Sequence, residues 1–236
     1  MITKAVILAA GRGTRMRELT NEVPKPMVEV RGKPILQHIL EGLGSAGLKK
    51  ALIVVGYRKE AIQDYFGDGR RVGLQVEYVE QVTQDGTGRV VGLAQPYCHD
   101  QPFLLLYGDI LVDPIVYRKL RDLGAAEMLI AVKYLQDVSK GGAVYLDQDF
   151  NLIDLREKKD AAGVETHWYN AGLYAFRPSI FPFIDKLDKS PRGEYELTDA
   201  IRAMAKAGLN IKAIEIKGDW ADVRDPEILQ ALNKGS

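Results

Sequence analysis

Cysteine is all but missing from this 236-residue chain: Cys98 stands alone, so no intramolecular disulfide can form. That scarcity fits a reducing compartment, and a cytoplasmic location is expected. Histidine is nearly as rare. His38, His99 and His167 share no metal-ligand spacing, which speaks against a histidine-built metal centre. Neither sign of charge prevails, with 32 Lys and Arg against 32 Asp and Glu. A global basic field for nucleic acid is therefore excluded, and any anion site has to be a local cluster. No apolar run approaches the length that spans a bilayer, and the N-terminus carries no long apolar region or cleavage-like site. Neither a membrane nor a leader is expected. Tandem repeats, low-complexity tracts and linkers rich in Pro, Gly or Ser are absent too, so one large α/β domain is the expected organisation. No serine sits in a nucleophile-elbow context, and covalent catalysis is not suggested.

What is present is concentrated between Lys4 and Lys25. Lys4 to Ala10 is a short apolar run ending in small residues, as a parallel strand covered on both faces would be. Gly11 and Gly13 remove two β-carbons where that strand ends, so backbone N–H groups can approach an anion closely. Arg15 and Arg17 add cationic donors, and an arginine fork suits phosphate oxygens. Pro24 and Pro26 restrict the chain around Lys25 and limit where its ammonium can go. A glycine loop, an arginine and a fixed lysine suggest a triphosphate site, although a tight strand-to-helix turn would use the same glycines. Two familiar phosphate signatures are ruled out. The P-loop spacing is not met, and Met16 stands where the dinucleotide fingerprint requires glycine, which disfavours an NAD-dependent reductase.

The rest of the first half alternates strand and helix. A helix opens at Pro34 and carries Ile35, Leu36, Ile39, Leu40 and Leu43 at helical spacing. Ala51 to Val55 reads as a buried strand, Lys59 to Phe66 as a helix, and Leu74 to Val79 as a third strand. This order begins a parallel open sheet with right-handed crossovers. Phe103 to Tyr107 is another apolar strand, Pro114 to Leu123 a helix, and Met128 to Val132 a strand. After Lys140 the pattern changes. Ala143 to Asp147 and Leu152 to Arg156 read as a β-hairpin, Lys158 to Glu165 as a polar loop, and Trp168 to Phe176 as a strand interrupted at Asn170-Ala171-Gly172. Helices at Pro178 to Leu187 and Leu197 to Ala207, a strand at Ile211 to Ile216, an irregular stretch at Trp220 to Arg224 and a helix at Pro226 to Leu232 complete the chain.

Several side chains sit where chemistry is plausible. In an open α/β sheet ligands bind outside the C-terminal ends of the strands, so Asp109, closing FLLLYGD, is aimed at the crevice. Mg2+ takes one or two carboxylates together with phosphate oxygens and water, while a turn or helix cap would use an aspartate equally well. Asp113 before Pro114 and Asp225 before Pro226 read as helix starts. The Gln81 amide can both donate and accept, and Gly86-Thr87 lets a planar base come close to the backbone. A helix start capped by Asp85 or Thr87 is the plain alternative. In EYELTD, 194–199, Thr198 or Asp199 reads as a cap.

LAAGRGTRM at 8–16, followed by PKPM at 24–27, resembles the signature of the sugar-1-phosphate nucleotidylyltransferases in spacing and residue type. The resemblance extends over essentially the whole chain. It implies a Rossmann-like three-layer α/β/α sandwich with a mixed, mostly parallel sheet and a small β-hairpin/lid insertion. It implies one catalytic domain, 1–236, with a nucleotide-binding half (about 1–135) and a sugar-phosphate half (about 136–236). Leu8, Ala9, Ala10, Gly11, Gly13 and Thr14 are implied to bind nucleotide, with Gln81, Gly86 and Thr87 reading the base. Arg15 and Lys25 are implied to be catalytic. Mg2+ is implied on Asp109 and on Asp222, the latter in WADVRDPEIL, which resembles the family's W-x-D/N segment, with Asp219 and Asp225 as alternatives. Gln84-Asp85 replaces the family's usual Pro-Leu, and Arg89 a small residue or histidine. On the acceptor side, Gly108, Gly142, Glu157, Lys158 and Asn170 are implied to hold the sugar phosphate, through likeness to the family's Y-G-V-V, E-K-P and N-A-G. Lys159 stands where proline is usual.

The activity implied by the resemblance is attack of a sugar 1-phosphate oxygen on the α-phosphorus of a nucleoside triphosphate, UTP or dTTP favoured, with pyrophosphate leaving. Two other readings are carried. One is a cytidylyltransferase acting on a phosphorylated alcohol such as phosphocholine or inositol phosphate. The other is a non-catalytic nucleotide-binding regulatory module. The implied partners are the two small substrates, without nucleic acid or membrane, and a homo-oligomer is left open. The acetyl transfer that some relatives carry on a β-helix after this domain is not expected.

Overall fold

The computed structural model describes residues 1–139, 141–157 and 166–234, and the side chains of all of these except Arg17 and Glu18. The first strand, β1 (Lys4–Leu8), has its three central residues fully buried, as its apolar run requires. Two short strands, β2 (Glu29–Val30) and β3 (Lys33–Pro34), make a tight antiparallel turn ahead of α1 (Ile35–Ser45). Helix α1 buries Ile35, Leu36, Ile39, Leu40 and Leu43, the stripe that its sequence spacing predicts. Strand β4 (Lys50–Val55), helix α2 (Lys59–Phe66) and strand β5 (Gln75–Glu80) follow. Gly67 ends α2 with φ 52°, a conformation open to glycine at little cost.

Next come α3 (Thr87–Gly92), α4 (Gln95–Cys98), β6 (Phe103–Tyr107), β7 (Ile110–Val112) and α5 (Ile115–Leu120). The expected helix at Pro114 to Leu123 is shorter: Asp113 caps its start (Ile115 N–H to Asp113 Oδ1, 2.8 Å), and its last turn gives way at Arg121. The chain continues through β8 (Met128–Tyr134), β9 (Ala143–Leu146), β10 (Leu152–Arg156), β11 (Trp168–Phe176), α6 (Phe181–Ile184), α7 (Leu197–Lys206) and β12 (Ile211–Glu215). The helix expected at Pro178 to Leu187 divides into a 3-10 turn at Pro178–Ile180 and the single turn of α6, since Pro182 removes a backbone donor. Strand β13 (Trp220–Asp222) and helix α8 (Pro226–Lys234) close the chain. Trp220 to Arg224 was expected to be irregular. Its first three residues pair instead, antiparallel, with β7.

The fold is α/β, with helices on a mixed, mostly parallel sheet, as expected. By its internal contacts the chain divides into two compact units. One comprises Ile2–Gln84, Leu105–Arg118 and Gly218–Ser236. Its strands lie in the order β6-β1-β4-β5, with parallel registers such as Ile7↔Ile53 and Ile53↔Tyr78. The other comprises Met1, Asp85–Leu104 and Lys119–Lys217. There β11 pairs antiparallel with both β8 and β9, β10 extends β9 as a hairpin, and β12 runs parallel to β8. The expected interruption of β11 is a register shift between Asn170 and Tyr174. Among the described residues no helix is long and apolar enough to cross a membrane.

Candidate active site

The first unit carries the glycine loop. Ala9 and Ala10 continue β1 as buried small residues, and Ala9 N–H bonds Val54 O at 2.9 Å. Gly108, after β6, donates its N–H to Leu8 O at 2.9 Å. A β-carbon on Gly108 would lie 2.8 Å from that same oxygen, so close chain approach already demands glycine there. A β-carbon on Gly11 would meet nothing within 4 Å, which leaves the loop's backbone open to a ligand. Gly13 differs. Its φ is 73°, and a β-carbon would fall 2.6 Å from Lys25 Cβ. Gly13 O accepts from Met16 N–H (2.9 Å) and from the Thr20 hydroxyl (3.1 Å), which folds Thr14–Thr20 into a 3-10 segment. Met16, the residue that breaks the dinucleotide fingerprint, is fully buried and anchors this segment. Gly13→Ala is therefore expected to cost about 1–3 kcal/mol of stability through backbone strain and displacement of the Lys25 stem. The check is the urea-unfolding midpoint at constant slope.

Lys25 lies in the 3-10 turn Lys25–Met27 and is 7% exposed. Its ammonium donates to Asp109 Oδ2. Asp109 follows β6, and Asp222 is brought to it by the β7–β13 pairing: Asp222 stands opposite Ile110, and Val223 N–H bonds Asp109 O at 2.9 Å. Burial, and then the neighbouring Asp109 charge, push the Asp222 carboxyl up to about 6, against the downward pull of Lys25, Arg224 and Arg15. Arg224 Nη1 is 3.6 Å from Asp222 Oδ2.

Two carboxylates that resist joint ionisation are a donor set that a hard divalent cation would satisfy. Among the described residues no group of three or more His, Cys, Asp and Glu could hold a metal. A pair of carboxylates fits Mg2+, which completes its shell with phosphate oxygens and water, better than it fits a zinc cage. Asp225, by contrast, caps α8 through Ile228 N–H at 3.0 Å, as its position before Pro226 predicts. Gln81 binds through its backbone to Val55 O at 2.8 Å, at the end of β5.

The remaining expected site residues lie in the second unit. Thr87 Oγ1 accepts from Leu197 N–H at 3.1 Å, so α7 is capped by Thr87 and not by Thr198 or Asp199. A β-carbon on Gly86 (φ 114°) would lie 2.4 Å from Tyr195 O; chain approach accounts for this glycine without a base. Gly142 and Asn170 are neighbours: Asn170 N–H bonds Gly142 O at 2.8 Å, and a β-carbon on Gly142 would lie 3.1 Å from Asn170 Cβ. The Asn170 side chain donates to Tyr174 Oη at 2.8 Å and accepts from Gly172 N–H at 3.2 Å. Glu157, at the end of β10, faces Arg192 at 3.8 Å, and Arg192 is anchored on buried Glu196 at 2.7 Å. Burial raises the Glu157 carboxyl, while Thr198 and Arg192 lower it. Lys158 lies outside the described residues.

Sequence reasoning missed Arg224 beside Asp222, Arg192 beside Glu157, and Tyr57, whose hydroxyl reaches Asn21 O at 3.0 Å. The one available signal for Tyr57 was an aromatic placed directly after the glycine that ends a buried strand.

The model of the nucleotidyl transferase family matches residues 4–234. The chain is 39% identical over 228 residues to the bifunctional protein GlmU of Methanocaldococcus jannaschii, covering 96% of this chain and 53% of that protein. It is 34% identical to the UTP–glucose-1-phosphate uridylyltransferase AglF of Haloferax volcanii, covering 95% of this chain and 92% of that one. The chain thus spans about half the length of several curated relatives, the GlmU proteins, and nearly all of AglF. Among solved structures, a UDP-glucose pyrophosphorylase complexed with UDP-glucose is similar with a TM-score of 0.90 and 25% identity, over 100% of this chain and 98% of that one.

Proposed function

This chain belongs to the nucleotidyl transferase family, and on that premise we propose that it joins a nucleoside triphosphate and a sugar 1-phosphate into a nucleotide-sugar, releasing pyrophosphate. The observation that carries the proposal is the convergence of Lys25, Asp109 and Asp222 in the unit that bears the open Gly11 loop. An attacking sugar phosphate is already ionised near neutral pH, so the reaction asks for positioning and charge screening and not for a general base. The Gly11–Thr14 backbone and Arg15 hold the β- and γ-phosphates. Lys25 binds the α-phosphate and follows the charge that develops on it. Asp109 and Asp222 would hold Mg2+, which when bound screens the repulsion between the two polyanions.

The finer assignments belong to the same proposal. Leu8, Ala9 and Ala10 line the nucleotide; Gln81, Gly86 and Thr87 read its base; Gly108, Gly142, Glu157, Lys158 and Asn170 take the acceptor. Residues 1–236 work as one catalytic domain. UTP or dTTP is the favoured donor, and the names of AglF and of the UDP-glucose pyrophosphorylase support a uridine nucleotide and glucose 1-phosphate. A panel of ATP, GTP, CTP, UTP and dTTP, each paired with sugar 1-phosphates, phosphocholine and inositol phosphate, tests this by pyrophosphate release. Turnover is expected with a sugar 1-phosphate and Mg2+. Turnover confined to CTP and a phosphorylated alcohol, or triphosphate binding without any turnover, overturns it.

A further inference from the structure

The Gly11–Thr20 segment is held at both of its ends by the turn that follows β4. At the near end, Tyr57 N–H bonds Ala10 O at 3.1 Å, and the Gln84 amide reaches the same oxygen at 3.2 Å. Gly56 makes this approach practicable, since a β-carbon there would lie 2.8 Å from Ala10 O. At the far end, the Tyr57 hydroxyl donates to Asn21 O at 3.0 Å, with Thr20 O 3.3 Å away. Between the two ends, the Arg12 guanidinium lies over the Tyr57 ring, 5.4 Å from its centroid. Arg58 also engages this side chain, donating its Nε–H to Tyr57 Oη at 3.2 Å. Arg58 itself takes a left-handed conformation, φ 48°, which a non-glycine residue rarely adopts and which persists where the surroundings over-determine it.

We propose that Tyr57 is a positioning residue that holds the Gly11–Thr20 segment in the conformation that binds phosphate. One side chain touches the start of the segment through Arg12 and its end through Thr20 and Asn21. Within the segment, Gly13 O gathers Met16 and Thr20, so the interior is closed on itself and its two ends are the places where it can open. A loop held in its binding conformation spends less of the ligand's interaction energy on ordering. The ring also fixes the Arg12 guanidinium at the rim of the loop. The bracing is independent of what the loop binds; its consequence for triphosphate rests on the function proposed above.

Two variants separate the parts of the contact. Tyr57→Phe removes the hydroxyl bonds and keeps the ring under Arg12; Tyr57→Leu removes both. Hydrogen–deuterium exchange of the ligand-free protein is the primary measurement. Peptides covering Gly11–Asn21 are expected to exchange about fivefold faster in Tyr57→Phe and about thirtyfold faster in Tyr57→Leu, with peptides from β4 and α1 unchanged. The second measurement is steady-state kinetics with UTP and glucose 1-phosphate, where the KM for UTP is expected to rise by about the same factors while kcat stays near wild type. Unchanged exchange in both variants overturns the proposal, as does acceleration spread evenly through the unit. A fall in kcat at constant KM also overturns it, because Tyr57 would then act on the chemical step. Absence of turnover in the wild-type protein refutes the functional reading alone, and the exchange result still decides the bracing.

Discussion

Replacing Lys25 by alanine is expected to lower turnover by on the order of 10²–10³, with a smaller change in the KM for triphosphate. The ammonium is preorganised on three counts. Pro24 and Pro26 fix the backbone around it, its stem fills the space that Gly13 leaves open, and its charge is held on Asp109. A preorganised cation aimed at developing charge does not have to be reordered during the reaction, which is why its removal falls mainly on kcat. The stability cost should be modest, about 1–2 kcal/mol, because Asp109 is a quarter exposed and water can take over part of the lost pairing. Lys25→Arg is expected to rescue little. A guanidinium is broader than an ammonium and spreads its charge over a planar fork, so it does not reproduce the point charge that Lys25 places on Asp109. Pyrophosphate release by variants shown to be folded by circular dichroism makes the measurement. Activity of Lys25→Ala within threefold of wild type would remove Lys25 from the catalytic set.

The second large effect has opposite signs for stability and for activity. The Asp222 carboxyl is raised from 3.8 to about 6, so in the folded chain it holds its proton more tightly than in the unfolded one. Its contribution to stability is present below pH 4 and is lost as the pH climbs through about 6. Above that, the folded metal-free protein carries an electrostatic penalty, because a buried charge stands beside Asp109. Asp222→Asn has no charge to bury at any pH. Urea unfolding in the presence of a chelator should therefore find the variant more stable than wild type at pH 8, by up to roughly 3 kcal/mol, and nearly equal to it at pH 4. Wild type should regain stability when Mg2+ is added at pH 8, the variant much less, and turnover of the variant should fall by on the order of 10² or more. A variant less stable than wild type at pH 8 would show that Asp222 is not held at a cost. Functional carboxylates held against electrostatic repulsion are a recurrent reason why activity and stability trade against each other.

Much of the frame was legible in the sequence because it depends on local pattern. Helix α2 begins at Lys59 and ends at Phe66 as its spacing and the glycine after it require. The stripe of α1 and the buried run of β6 are equally local signals. The family, too, was legible, from LAAGRGTRM and PKPM alone. What escaped depends on partners distant in the chain. Strand β13 is three half-buried residues without alternation, and only pairing with β7 makes it a strand. The Lys25–Asp109 ion pair joins residues with no sequence relation, and the Thr87 hydroxyl caps a helix that starts far downstream of it. Glycines gave ambiguous signals. Gly11 leaves open space, as a ligand-facing glycine would, whereas Gly86 and Gly108 are accounted for by backbone carbonyls already beside them. Proline at 182 broke a helix that apolar spacing alone had extended.

The pairing of β13 with β7 also bears on when this chain becomes competent during its synthesis. Asp109 is synthesised well ahead of Asp222. Until Trp220–Asp222 arrives, Ile110–Val112 has no antiparallel neighbour in that two-stranded sheet, and Asp109 faces Lys25 without the second carboxylate. A nascent chain that stops after α7 lacks half of the proposed Mg2+ site. On the function proposed above, premature termination at that point is expected to abolish transfer.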